Sequence, residues 1–343
     1  MYILVSVPNE AFHRVMGMRA LQRQLGIDAS VNRDSAELFR MVEASAGGRL
    51  VLLDWSKGAI LADLPLSGAS GLAVNEGFIF ASSWTGHRIH VLRGRETDST
   101  VSHPWFNHLH SVELTTRNTL LVASAGNDSL LEIALDGTVL WHWFGPDHGY
   151  KASDGNTRSF DPNIDYRELR RSTSDRAIHF TCALPLGKEK VMATLFHQGE
   201  LILIDRIREE ASVVVGGLSR PHGIHERPGG FLISDTLGHR VLLLDEAAQV
   251  CSEIPFGAQW LQDTIPSSAG TYLVLENVHI DQLPEEGLSN RIVEIDSAGR
   301  ALRQLTVGPS YRLFTAREVD AEFAAWLTQE WGRNGDFEKW AWD

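Results

Sequence analysis

Cysteine is scarce in this chain: Cys182 and Cys251 are the two present in 343 residues, too few for a disulfide framework. The first ten residues, MYILVSVPNE, lack the charged start and apolar run of a secretory signal, so a reducing, cytoplasmic location is expected. No apolar stretch approaches the roughly 20 residues of a membrane span, and Lys and Arg nowhere form a run. With 31 basic against 44 acidic residues the net charge is −13. That balance argues against nucleic acid or an anionic membrane as partner and leaves a small molecule or a peptide.

Helical periodicity is rare as well, and a period of two takes its place. The stretch 221–245, PHGIHERPGGFLISDTLGHRVLLLD, reads as a strand beginning at a histidine, a Gly-rich turn, a strand ending in Ser-Asp, a loop and a third strand. A shorter version recurs at 83–89, Ser-Trp-Thr-Gly-His-Arg-Ile. The third-strand signature appears six times, starting at Arg49, Arg88, Ser129, Glu200, Arg240 and Arg291. The separations are 39, 41, 71, 40 and 51 residues, a period near forty with two insertions. Four short strands per period, repeated six times, predict an all-β six-bladed propeller spanning 1–343 as one domain.

Two kinds of segment interrupt the repeat. Residues 10–48 carry helical spacing in AFHRVMGMRALQRQL and SAELFRMVEA, with Asp34 or Ser35 as N-cap, while 145–176 and 277–290 are long loops. Strand order places all three on one face, as a lid over the channel mouth. The tail 319–343 predicts an amphipathic helix on the outside of the ring. The first blade lacks its innermost strand, and Tyr311–Ala316 is expected to supply it by pairing with Tyr2–Val7, closing the ring.

Channel-strand starts align as Ser70, His110, His179, His222 and Asp263 in blades two to six, with Arg312 or Phe314 in the first. Three histidines at one radius have the composition of a three-nitrogen metal site, with Asp263 as a fourth ligand or an acceptor for a ligand N–H. Zinc is the first expectation, and iron or copper fits the same donors. His108, two residues earlier on the same strand, is the rival of His110. Each of these residues alone is as well explained by a hydrogen bond to a neighbouring blade. A second ring, Asn9, Trp84, Asn127, His197, Asp235 and Glu276, ends the second strands. Its members are expected to move protons, to orient ligand imidazoles or to cap their loops. His87 and His239 recur in a Gly-His-Arg loop and read as blade packing.

The fifth unit, with PHGI, GGFLISD and HRV, resembles the NHL-repeat class of six-bladed propellers. Within that class, His110, His179 and His222 match by position the zinc-binding histidines of peptidyl-hydroxyglycine amidating lyases. That resemblance implies lyase or hydrolase chemistry on a small molecule or modified peptide, with Tyr150, Tyr166, Arg158 or Arg167 standing in for the family's Tyr and Arg. The chain departs from those lyases in having no signal peptide and no disulfide pairs. The third unit, with HSVEL, LLVASAGND and LDGTVLWHW, is similar to arylsulfotransferase-type propellers, which use a channel histidine without a metal. A non-catalytic protein-binding scaffold is the remaining alternative.

Overall fold

Alternation of side chains about a strand puts Val241 and Leu243 on one face and Leu242 and Leu244 on the other, and all four are buried because each blade is sandwiched between two others. The computed structural model describes residues 1–25, 41–75, 77–151, 159–169, 177–279, 288–335 and 337–343. Its strands form six antiparallel sheets in the radial order of a six-bladed β-propeller. From the axis outward, blade five runs Ile224–Arg227, Gly230–Asp235, Arg240–Leu244, Val250–Pro255. Apolar clusters fill the wedges between blades, such as Leu201, Ile224, Ile233 and Leu242 between blades four and five.

Blade one is closed by the C-terminal part of the chain, but further along than expected. Regular pairing with Tyr2–Val7 is made by Ala316–Val319, with Tyr2 opposite Val319 and Val5 opposite Ala316. Residues 312–315 continue beside the same strand less regularly: Ser6 N–H donates to Thr315 O at 2.9 Å, Phe314 N–H to Ser6 O at 3.0 Å, and Arg312 bridges Asn9. The irregularity sits at Ser6, whose hydroxyl leaves the ladder to donate to Ser70 O at 2.6 Å.

The tail is both helix and strand. Helix α2, Ala321–Trp331, starts at Asp320, whose side chain accepts from Phe323 N–H. It buries Ala324, Leu327 and Trp331 against blades one and two. Beyond it, Ala341–Trp342 adds a fifth strand to the outside of blade six. The tail thus straps three blades together. In the first insertion, helix α1, Phe12–Leu25, packs Phe12, Val15 and Met16 on Ala46, and its first turn meets Ser310 and Arg312. Asp34, Ser35, Arg158, all of 170–176 and most of 277–290 lie outside the described residues. No described helix is long and apolar enough to cross a membrane.

Candidate functional site in the central channel

Each innermost strand opens with a bulge, and the bulges fix which residues share a level. Pairing skips His110 between Leu109 and Ser111, Thr181 between Phe180 and Cys182, and Gln262 between Leu261 and Asp263. Two residues before the skipped position the backbone is left-handed at Gly68, His108, His179 and Arg220. On this count Ser70, His110, Thr181, His222, Gln262 and Phe314 form one level of the channel. His179 belongs one level out, with His108, and Asp263 one level in, with Ser111 and Gly223. The sequence alignment is therefore corrected at both residues. It failed because His179-Phe-Thr mimics His110-Ser-Val once the bulge is invisible. Asp128 enforces the offset, its carboxylate accepting from the N–H groups of Ala177, Ile178 and His179 at 2.7, 3.0 and 2.8 Å.

The histidines nevertheless gather at one mouth, in a ring of aromatic contacts. The His110 and His179 rings meet edge-on at 4.6 Å, His179 lies 4.8 Å from Phe196, and Phe196 lies 5.6 Å from His222. Trp260 stands 5.5 Å beyond His222, and Phe314 5.2 Å from His110. Phe196 thus stands between His179 and His222. Among the described residues no three or more His, Cys, Asp or Glu side chains are arranged to hold a metal ion. His110, His179, His222 and Asp263 as placed do not fit a three-histidine zinc centre with a carboxylate fourth.

His222 is the best-defined of them. Its Nδ1 lies 3.0 Å from Arg220 O and 2.7 Å from Thr236 Oγ1. A carbonyl only accepts, so Nδ1 carries the proton and Nε2 keeps its lone pair. Burial pushes the imidazole down to about 3, so it stays neutral at ordinary pH.

The outer candidates are distributed differently. Asp235 accepts from Ser219 N–H at 2.6 Å and Arg240 Nε at 2.9 Å, and Glu276 accepts from Gln259 N–H at 3.1 Å and pairs with Arg291. Both carboxylates hold the link into their own blade rather than face the channel. His197 is exposed at the mouth, 6.0 Å from His179. Tyr150 packs on Trp143 at 6.0 Å, away from the channel. Tyr166 is buried against Phe160, its hydroxyl accepts from Asp161 N–H at 2.9 Å, and Asn107 donates to its carbonyl. Arg167 pairs with Asp165 at 2.6 Å. Trp84 lines the mouth beside Phe314. Asn9 and Asn127 are buried. His87 accepts from His108 N–H through Nδ1 at 2.9 Å, a tie between blades two and three, whereas His239 O accepts from Phe256 N–H within blade five, extending the pairing of Arg240 with Pro255.

Sequence reasoning missed the floor of the channel. Three residues beyond the bulge level stand Glu113, His225 and Arg317. Arg317 donates through Nη1 to His225 Nδ1 at 3.2 Å and through Nη2 to Glu113. A guanidinium only donates, so the His225 ring proton sits on Nε2 and is given to Asp263 Oδ1 at 2.8 Å. Thr315 Oγ1 and Thr264 N–H complete the Asp263 shell at 2.6 and 2.9 Å. Burial opposes the Asp263 charge, but His225, Thr315 and Arg317 together hold its carboxyl below the usual value. Between this floor and His110 and His222 lies a cavity of about 30 Å³, roomy enough to hold water. Cys182 lines it, with its thiol pushed up to about 12 by burial. A spacing of three after each channel residue was the signal that could have found Glu113, His225 and Arg317.

No family model matches the chain, and no curated protein matches it. Among solved structures, a protein of unknown function from Bacteroides caccae is similar, at 17% identity over 78% of this chain and 93% of that one, with a TM-score of 0.58. A structure of a nidogen–laminin complex matches at 12% identity over 92% and 97%, with a TM-score of 0.54. A virginiamycin B lyase from Staphylococcus aureus matches at 9% identity over 68% of each chain, with a TM-score of 0.47. At these identities the likeness is one of fold: this chain is a six-bladed β-propeller.

Proposed function

We propose that the chain is an enzyme of lyase or hydrolase type, acting on a small molecule or modified peptide at the histidine-bearing mouth of its channel. His110 is the group that handles a proton, and neutral His222 holds the substrate through a hydrogen bond. The observation that supports this most is that these two imidazoles share one level of the channel, with the Nδ1 of His222 committed to Arg220 O and Thr236. Its Nε2 is then a fixed acceptor for a substrate O–H or N–H, and the His110 imidazole at the same depth is the partner for proton transfer in this reading. Phe196, Phe314, Trp84 and Trp260 make the surroundings suit a flat, apolar substrate group. Arg220, exposed and 5.4 Å over the Phe196 ring, suits an anionic substituent on it. The zinc expected from the sequence, or iron or copper, would find His110 and His222 at this level and Thr181 where the third nitrogen belongs.

The test is turnover of 4-nitrophenyl acetate and 4-nitrophenyl sulfate by purified protein, with and without a chelator. Turnover that survives chelation and falls about a hundredfold in His110→Gln is the expected result. Activity abolished by chelator and restored by zinc would return the reading to a metal-dependent enzyme. Absence of turnover on both probes, with capture of a protein partner that a rim variant abolishes, would favour the scaffold.

A further inference from the structure

The channel opens a second time, on the face opposite the histidines, and the chemistry proposed above does not use that opening. The cavity there measures about 430 Å³, within the range of small-molecule sites. Glu113, His225 and Arg317 form its floor, Leu184 and Ile265 give it apolar walls, and Glu226 and Glu318 stand on its rim.

Charge in this floor does not balance. Two buried or nearly buried carboxylates, Asp263 and Glu113, face one guanidinium. Arg317 spends its donors internally, through Nη1 on His225 and on Ala316 O at 3.0 Å, and through Nη2 on Glu113. His225, whose proton sits on Nε2, adds no charge. Asp263 is fully supplied by His225, Thr315 and Thr264. The deficit therefore falls on Glu113, whose side chain is 15% exposed and whose Oε2 has no hydrogen bond among the described residues. A carboxylate so placed needs a cation or a proton. Burial does push its carboxyl above the usual range in spite of Arg317. On the rim, Glu226 makes no side-chain hydrogen bond among the described residues and is exposed, whereas Glu318 accepts from Ser268 N–H at 2.7 Å.

We infer that this second mouth binds a small organic cation, a primary ammonium or guanidinium group on an apolar stem. The head group donates to Glu113 Oε2 and takes the place of the missing positive charge. The stem lies along Leu184 and Ile265, which a hydrated inorganic ion would leave unused. Glu226 attracts the cation from the rim.

The experiment is calorimetric titration of the whole chain with n-butylammonium chloride, with n-butanol and potassium chloride as separate probes. Saturable binding of n-butylammonium, and of neither control, is expected. Affinity should fall about tenfold or more in Glu113→Gln, which keeps the side chain's shape and removes its charge. It should fall severalfold in Glu226→Gln, an exposed position that cannot disturb folding, and stay unchanged in His222→Gln, which separates this site from the histidine mouth. No saturable heat, equal binding of n-butanol or potassium, or affinity undiminished in the variants would overturn the inference. If Glu113→Gln does not fold, Glu226→Gln decides it.

Discussion

Gly223 and Asp263 compete for one volume: a Cβ on Gly223 would stand 1.8 Å from Asp263 Oδ1 and 3.2 Å from His225 Nε2. Neighbouring blades approach so closely at this level that the fifth can present no side chain where the sixth presents its carboxylate. The first prediction follows from that contact. Gly223→Ala must displace a buried carboxylate from three donors, so it should cost about 2 kcal/mol, read as a lower urea midpoint with unchanged slope. Combined with Asp263→Ser, which clears the space, the penalty of the alanine should shrink.

His222 makes stability depend on pH in a calculable direction. Its folded value is about 3, against about 6.5 in the unfolded chain. The unfolded state therefore takes up the proton first, and the contribution of His222 is complete above about pH 6.5 and lost progressively as pH falls toward 3. Urea unfolding of wild type and His222→Gln between pH 7 and pH 4 should show the wild type losing ground by up to about 1.4 kcal/mol per pH unit. A pH-independent difference would contradict the assignment.

Glu132 ties blade three to blade four. It is fully buried, accepts from Thr119 Oγ1 at 2.5 Å, and pairs with Arg117 at 2.6 Å and with Arg206, which also lies 4.6 Å over the Trp141 ring. Glu132→Ala leaves two guanidinium groups facing an empty site and should cost about 3–5 kcal/mol. Arg206→Ala in the same chain should recover part of that loss, and a double-mutant cycle of thermal unfolding measures it.

Trp331 fixes the strap. It is 1% exposed, and its Nε1 donates to Gly94 O at 2.8 Å. Trp331→Ala should destabilise by about 3–5 kcal/mol and increase protease cleavage C-terminal to Val319 before the blades themselves are cut.

The fold was legible in the sequence because a blade announces itself locally. Arg240–Leu244 and its five counterparts repeat an apolar strand at a fixed offset, and the period of forty leaves little else to build. Helix α1 was legible for the same reason. The level of a side chain in the channel was not. A bulge adds one residue without changing composition, so His179 looked equivalent to His222 when Thr181 is. For Asp235 and Glu276 the sequence left two readings open, since capping a loop and facing a ligand draw on the same carboxylate, and the loop-capping one is what the structure shows. Glu113, His225 and Arg317 come from three blades distant in sequence, and only closure of the ring puts them in contact.

That closure also sets a schedule for synthesis. The strands of blade one ending at Pro65 are made roughly 250 residues before Ala316–Val319, which completes their sheet. At ordinary elongation rates the gap is on the order of ten to fifty seconds. Throughout it, Tyr2–Val7 offers an open hydrogen-bonding edge on one side. The nascent chain is thus a sticky, incomplete ring until Ala316–Val319 emerges, and its yield in a cell should depend on chaperones that shield that edge.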